Sequence, residues 1–145
     1  MMSQENARIV RTLYDAFMCR DAQGCMNFFE PTAEWTAAEN FLYADQSPYK
    51  GVDAIRHLIF QRLLGDWDEF SLTASEILAD GELAIAHGRF KGKFRANGAS
   101  IDAQFVHVFQ FRNGKIAKCQ MYTDTAKFKE TIGQTRIPET VASGS

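Results

Sequence analysis

The sequence predicts an α+β fold: N-terminal helices packed on a strongly curved, mostly antiparallel sheet that encloses a pocket. Two observations carry this expectation. Most segments with helical periodicity come before Gly65, and the runs from Glu69 onward change to a period of two, so helices and strands do not alternate as parallel βαβ units require. Three turn dipeptides, Asp80-Gly81, Asn97-Gly98 and Asn113-Gly114, then divide the second half into four strand-like runs of an antiparallel meander.

Each element follows from its own pattern. From Ser3 to about Arg20, Ile9, Val10, Leu13, Tyr14, Phe17 and Met18 recur at helical spacing, with Ser3 as the expected N-cap. A short helix from Ala22 carries Met26, Phe28 and Phe29 and is expected to stop at Pro31. A strand is expected around Glu34 to Thr36. Ala37 to Gly51 shows neither period and reads as a loop near a pocket mouth, from which Glu39, Tyr43 and Tyr49 could reach a ligand. Val52 to about Leu64 places Ile55, Leu58, Ile59 and Leu63 on one stripe, and Gly65 is expected to end that helix. After the meander, Asp124 is expected to cap a last helix, and residues 133–145 to form a frayed tail behind a single domain spanning 1–132.

Composition narrows the class. With 145 residues, 46% hydrophobic and 23% charged, the chain can bury a core of its own. A net charge of −2 with both signs interspersed leaves no basic stripe for nucleic acid and no polybasic arm for a membrane. Cys19, Cys25 and Cys119 have no zinc-like spacing and read as free thiols, so no metal is expected and the expected location is cytoplasmic.

The candidate site rests on polar side chains set among apolar ones. Ile101 to Arg112 alternates, with Ile101, Ala103, Phe105, His107, Phe109 and Phe111 on the inner face. His107 is either a core histidine bonded to a carbonyl or a pocket residue kept neutral by burial. If the preceding hairpin closes through a three-residue loop at Ala96-Asn97-Gly98, His87 stands opposite His107 and Arg89 opposite Phe105. That register would make a cationic corner of His87, Arg89 and His107, suited to a carboxylate or another oxyanion. A one-residue slip would send His87 and Arg89 outside. On the last strand Ala117, Cys119, Met121 and Thr123 share the expected inner face. Trp35 is a large apolar wall with one donor. Ala84, Ala86, Val106 and Val108 are expected on the convex face, where their apolar character suggests a homodimer formed through the outer sheet face.

The order of elements, the "AEWT" strand, the "SPYKGVDAI" step from loop to helix and the run "HVFQFRNGKIAKCQMYTDT" resemble the SnoaL-like, ketosteroid isomerase-related branch of the nuclear transport factor 2-like superfamily, over about residues 5–132. The resemblance implies a cone-shaped α+β barrel with a deep pocket, commonly dimeric and needing no cofactor. Matched to ketosteroid isomerases, the oxyanion-binding tyrosine falls at Leu13, the general-base aspartate near Ala37 and the oxyanion-binding aspartic acid at His107, so one role of three is filled. Matched to limonene epoxide hydrolases, the pocket arginine falls at Arg89, while the aspartates fall at Lys91 and Met121. The acid/base aspartate of SnoaL-type polyketide cyclases also falls at Met121.

Two functions follow as expectations. One is a cofactor-independent isomerase, cyclase or hydrolase-type enzyme that transfers protons on a small apolar carbonyl compound, with His107 and Arg89 as catalytic residues and Trp35, Tyr49, His87, Phe105 and Met121 binding substrate. The other is a non-catalytic module that binds a small apolar or acidic organic molecule, or serves association.

Overall fold

A computed structural model of the chain describes residues 2–137. Helix α1 spans Met2–Met18 and turns its apolar stripe, Val10, Leu13, Tyr14 and Phe17, into the core. Ser3 lies inside this helix, and its Oγ accepts from Gly81 N at 2.8 Å, tying α1 to a hairpin turn instead of capping it. Buried Asn6 fastens the same turn by donating to Gly81 O at 3.0 Å.

Helix α2 (Ala22–Cys25) starts at Asp21, whose carboxylate accepts from Gly24 N, and passes through a 3-10 turn (Met26–Phe28) into strand β1 (Phe29–Thr36). Pro31 therefore ends no helix. It sits inside β1, where pairing shifts register between Phe29 and Glu34 and no ladder donor is needed from a proline. The two-residue strand β2 (Tyr49–Lys50) pairs with β1. A continuous helical stretch follows: α3 (Val52–Ile55), a π-helical turn (Arg56–Phe60) and α4 (Gln61–Asp66). Gly65 lies within α4, not beyond its end, and the chain enters β3 directly at Trp67.

Strands β3 (Trp67–Asp80), β4 (Leu83–Phe94), β5 (Ser100–Arg112) and β6 (Lys115–Thr123) form the expected meander, and α5 (Thr125–Ile132) closes the described fold under an Asp124 cap at 3.2 Å. Gly81, Gly98, Asn113 and Gly114 all take positive φ at the three predicted turns. The sheet order is β2-β1-β6-β5-β4-β3, antiparallel throughout except for the β1–β6 pair, and it curves without closing. The helices cover its inner face. Residues 138–145, part of the expected tail, lie outside the described residues, while Ile137 packs against the core.

One register decides the site. Arg95 leaves the ladder because its N–H donates to Asp66 O at 2.9 Å and its guanidinium is held by Asp68 at 2.9 Å. The β4–β5 loop therefore contains four residues, with Phe94 N donating to Ala99 O, and His107 pairs with Ala86 instead of His87. This is the one-residue slip that exchanges the faces of a strand. Ala84, Ala86, Gly88 and Phe90 face inward, and Leu83, Ile85, His87 and Arg89 face outward. The expectation that Ala84 and Ala86 are exposed is thus reversed. A second irregularity, between Gln110 and Phe111, brings Ile116 into the core together with Cys119 and Met121.

Candidate functional site

Small residues on one strand leave room for large ones on the next. On the concave face Ala86 stands opposite His107 and Gly88 opposite Phe105. The space is roofed by α1 and the Val52–Asp66 helical stretch. Leu13, Tyr14, Phe17, Trp35, Ile59, Phe60, Leu63, Phe70, Leu72, Phe90, His107 and Met121 line a cavity of about 20 Å³. That volume accommodates about one water molecule. The resting site is therefore an almost filled aromatic interior, and a larger ligand must displace side chains to enter.

His107 is the polar centre of this interior. It is 2% exposed and packs against Trp35 at 5.2 Å, Phe105 at 4.8 Å and Phe109 at 5.5 Å between ring centroids. Burial pushes its pKa down to about 3, so the imidazole is neutral near pH 7. Its Nδ1 lies 2.7 Å from the Tyr14 hydroxyl. Burial pushes the Tyr14 hydroxyl well above its ordinary value, so the phenol keeps its proton. Among the described residues that proton has no acceptor other than Nδ1. Donation to Nδ1 fixes the tautomer with hydrogen on Nε2, which makes His107 a neutral hydrogen-bond donor.

Trp35 contributes a second donor. It is 3% exposed, and its Nε1 is the buried side-chain polar atom without a hydrogen-bond partner among the described residues. Among the described residues no Asp, Glu, Lys or Arg lines the cavity. Its wall presents carbon, and the two N–H donors, His107 Nε2 and Trp35 Nε1, belong to residues of that lining.

Of the residues proposed from sequence, His107, Trp35 and Met121 line the cavity, and Phe105 packs behind, stacked on Phe90 at 4.4 Å. Arg89 and His87 do not belong to it. On the convex face Arg89 donates to Asp102 at 2.6 Å, and His87 lies 3.1 Å from Glu76. Tyr49 is also elsewhere. Although it pairs with Trp35 in the β1–β2 ladder, its hydroxyl lies 2.6 Å from Tyr43 O and 2.9 Å from Asp45 Oδ1. Arg62 completes this cluster, donating to Asp45 at 2.7 Å and to Leu58 O at 2.8 Å, with its guanidinium 4.9 Å over the Tyr43 ring. Tyr43 in turn donates to Asp66 at 2.7 Å and accepts from Trp67 Nε1 at 3.1 Å. Tyr43 and Tyr49 therefore pin the loop at 37–48 instead of facing the cavity, and Glu39 is exposed.

Tyr14 is the site residue that the sequence reading left in the apolar stripe. The family correspondence pointed to a tyrosine one position earlier, at Leu13. Both side chains line the cavity, and the hydroxyl is supplied by Tyr14. Among the described residues no group of three His, Cys, Asp or Glu side chains could hold a metal ion, and no helix is long and apolar enough to cross a membrane.

Known structures share this fold. The chain is similar to a nuclear transport factor 2-like protein from Burkholderia thailandensis, at 28% identity over 88% of this chain and 96% of that one, with a TM-score of 0.81. A nuclear transport factor 2-like protein of unknown function from Burkholderia pseudomallei is also 28% identical, over 89% and 98% of the two chains, with a TM-score of 0.78. A protein of ketosteroid isomerase-like fold from Catenulispora acidiphila shares the fold at 12% identity, over 88% and 93% of the chains, with a TM-score of 0.75. No curated protein matches the chain. The members of this fold include polyketide cyclases and isomerases. A model of the SnoaL-like domain matches residues 10–119, and the chain belongs to that family.

Proposed function

We propose that this SnoaL-like protein admits a small apolar carbonyl compound to the His107 cavity and promotes cofactor-independent proton transfer at the carbon next to the carbonyl. The observation that carries this reading is the Tyr14–His107 hydrogen bond of 2.7 Å, which leaves the imidazole as a neutral donor in an apolar shell. A donor there stabilises the negative charge that grows on oxygen as an enolate forms, and it does so more strongly than in water. Because no carboxylate among the described residues lines the cavity, the α-proton passes to water admitted with the ligand. Arg89 and His87, paired on the other face, take no part in this mechanism.

Deuterium exchange tests it. Acetophenone in D₂O is expected to lose methyl protium faster with the protein than without, and His107→Phe is expected to reduce the protein-dependent rate about a hundredfold, within the range for positioned acid–base groups. The missing carboxylate favours a second reading, a binding module. Under that reading acetophenone shifts the His107 resonances and does not exchange.

We also propose that two copies pair through the convex face. Leu78, Ile85 and Val108 lie in one cross-strand row there, beside Val106 and the 55% exposed Tyr122. Sedimentation equilibrium is expected to give a dimer that Val106→Glu converts to monomer, and a monomeric wild type would remove this proposal. The three unpaired thiols suit a reducing compartment, and the cytoplasm is the location we propose.

A further inference from the structure

We infer that the Trp35 indole N–H is a second hydrogen-bond donor to the ligand oxygen, and that the two donors together select an uncharged carbonyl over a carboxylate of the same size. The inference rests on the carbonyl-binding reading of the His107 cavity. It adds a specificity-determining residue and narrows the ligand class, because the sequence alone left acidic molecules open.

Trp35 carries an unpaired polar group. Folded proteins rarely leave a buried N–H without a partner, since burying one unsatisfied is unfavourable. Trp35 Nε1 is such a group, and the Trp35 ring packs edge-on against the His107 ring at 5.2 Å between centroids, both rings belonging to the cavity lining. The neighbouring tryptophan shows the ordinary solution: Trp67 Nε1 donates to Tyr43 at 3.1 Å. What Trp35 lacks within the protein, a ligand oxygen supplies. A carbonyl oxygen has two lone pairs, one for Trp35 Nε1–H and one for His107 Nε2–H.

The selectivity follows from what the cavity does not contain. A carboxylate brought here would lose its water and meet two neutral donors with no cation, because among the described residues no Lys or Arg lines the cavity and Arg89 is paired with Asp102 on the opposite face. A ketone brings no charge to desolvate. In the resting cavity the wall presents carbon, so the ligand reaches both donors by displacing flexible side chains, of which Met121 has the most rotatable bonds.

The test uses wild-type protein with acetophenone and benzoate, which have nearly the same shape. In nitrogen–proton correlation spectra acetophenone is expected to move the Trp35 indole N–H downfield along with the His107 resonances and to leave Trp67 in place, with Trp35→Phe supplying the assignment. Benzoate at pH 7 is expected to bind at least a hundredfold more weakly. The carbonyl carbon of ¹³C-labelled acetophenone should move downfield on binding and return part of the way in Trp35→Phe, a change that altered cavity volume alone does not produce. If acetophenone moves His107 while the Trp35 N–H stays still, the indole is satisfied by a ring face; the inference then fails and carbonyl binding stands. Equal affinity for benzoate overturns the selectivity. If neither compound moves any resonance in the cavity, both the inference and the reading beneath it fall.

Discussion

Gly88→Ala is expected to destabilise the protein by more than about 3 kcal/mol, beyond the usual range for adding one methyl group to a core. Gly88 faces the interior of β4, where β3 leaves regular pairing between Ala74 and Glu76. A Cβ at Gly88 would come within 1.8 Å of Thr73 O and 2.8 Å of Ala74 Cα. Both are main-chain atoms held in a ladder, so no side-chain rotation can give way. The strands would have to separate, which would flatten the bend that makes the sheet concave beside Phe105 and His107. Urea unfolding measures the loss, and the melting temperature should fall by roughly 10 °C. Gly65→Ala is the control. Gly65 is helical and exposed, with nothing within 4 Å of an added Cβ, so alanine there is expected to be neutral or to stabilise by up to about 1 kcal/mol. If Gly88→Ala were as stable as wild type, β3 would not approach β4 as closely as described.

The register of β4 shows why part of this molecule was legible in its sequence and part was not. Alternation in Ile101 to Arg112 identified the inner face of β5 and placed His107 on it, because a strand with one buried face repeats every two residues. The turn dipeptides could be read because Asn113, Gly114 and the other turn glycines take a backbone conformation that few residues tolerate. The register of β4 could not be read, since it depends on Arg95 leaving the ladder for Asp66 and Asp68, residues distant along the chain. That single contact moved Arg89 and His87 out of the candidate site and turned Ala84 and Ala86 inward. The place of Pro31 inside β1 is hidden for a related reason: it lies at an irregularity that strict periodicity does not anticipate. Tyr14 is not legible as a site residue because a tyrosine in an apolar stripe looks like packing until its hydroxyl has a partner, and that partner is 93 residues away.

Stability should decline as the pH falls from neutrality because of His107. Burial lowers its folded pKa to about 3, whereas in the unfolded chain it titrates at about 6.5. Above pH 6.5 both states hold a neutral ring and the shift has no effect. Below that pH the unfolded chain binds a proton that the folded protein refuses, so folding loses about 1.4 kcal/mol per pH unit until about pH 3. At pH 5 the loss is about 2 kcal/mol. The groups packed around the ring do not compensate. Trp35, Phe90, Phe105 and Phe109 carry no charge, and Tyr14 and the buried Cys119 thiol are both held protonated, their pKa values raised by burial. Carboxylates act at lower pH. Hydrogen bonding from Arg89 holds Asp102 below the ordinary carboxylate range, and for Asp45 partial burial is outweighed by hydrogen bonds from Arg62 and Tyr49, so these acids weaken the fold only as pH drops below about 4. The measurement is urea unfolding at pH 7.5 and pH 5.0 for wild type and His107→Gln, which keeps an amide in place of the imidazole and cannot titrate. Wild type is expected to lose about 2 kcal/mol more than the variant between the two conditions. Parallel losses would mean that His107 takes up its proton in the folded state, and a ring that charges so readily could not be the neutral donor on which the proposed chemistry depends.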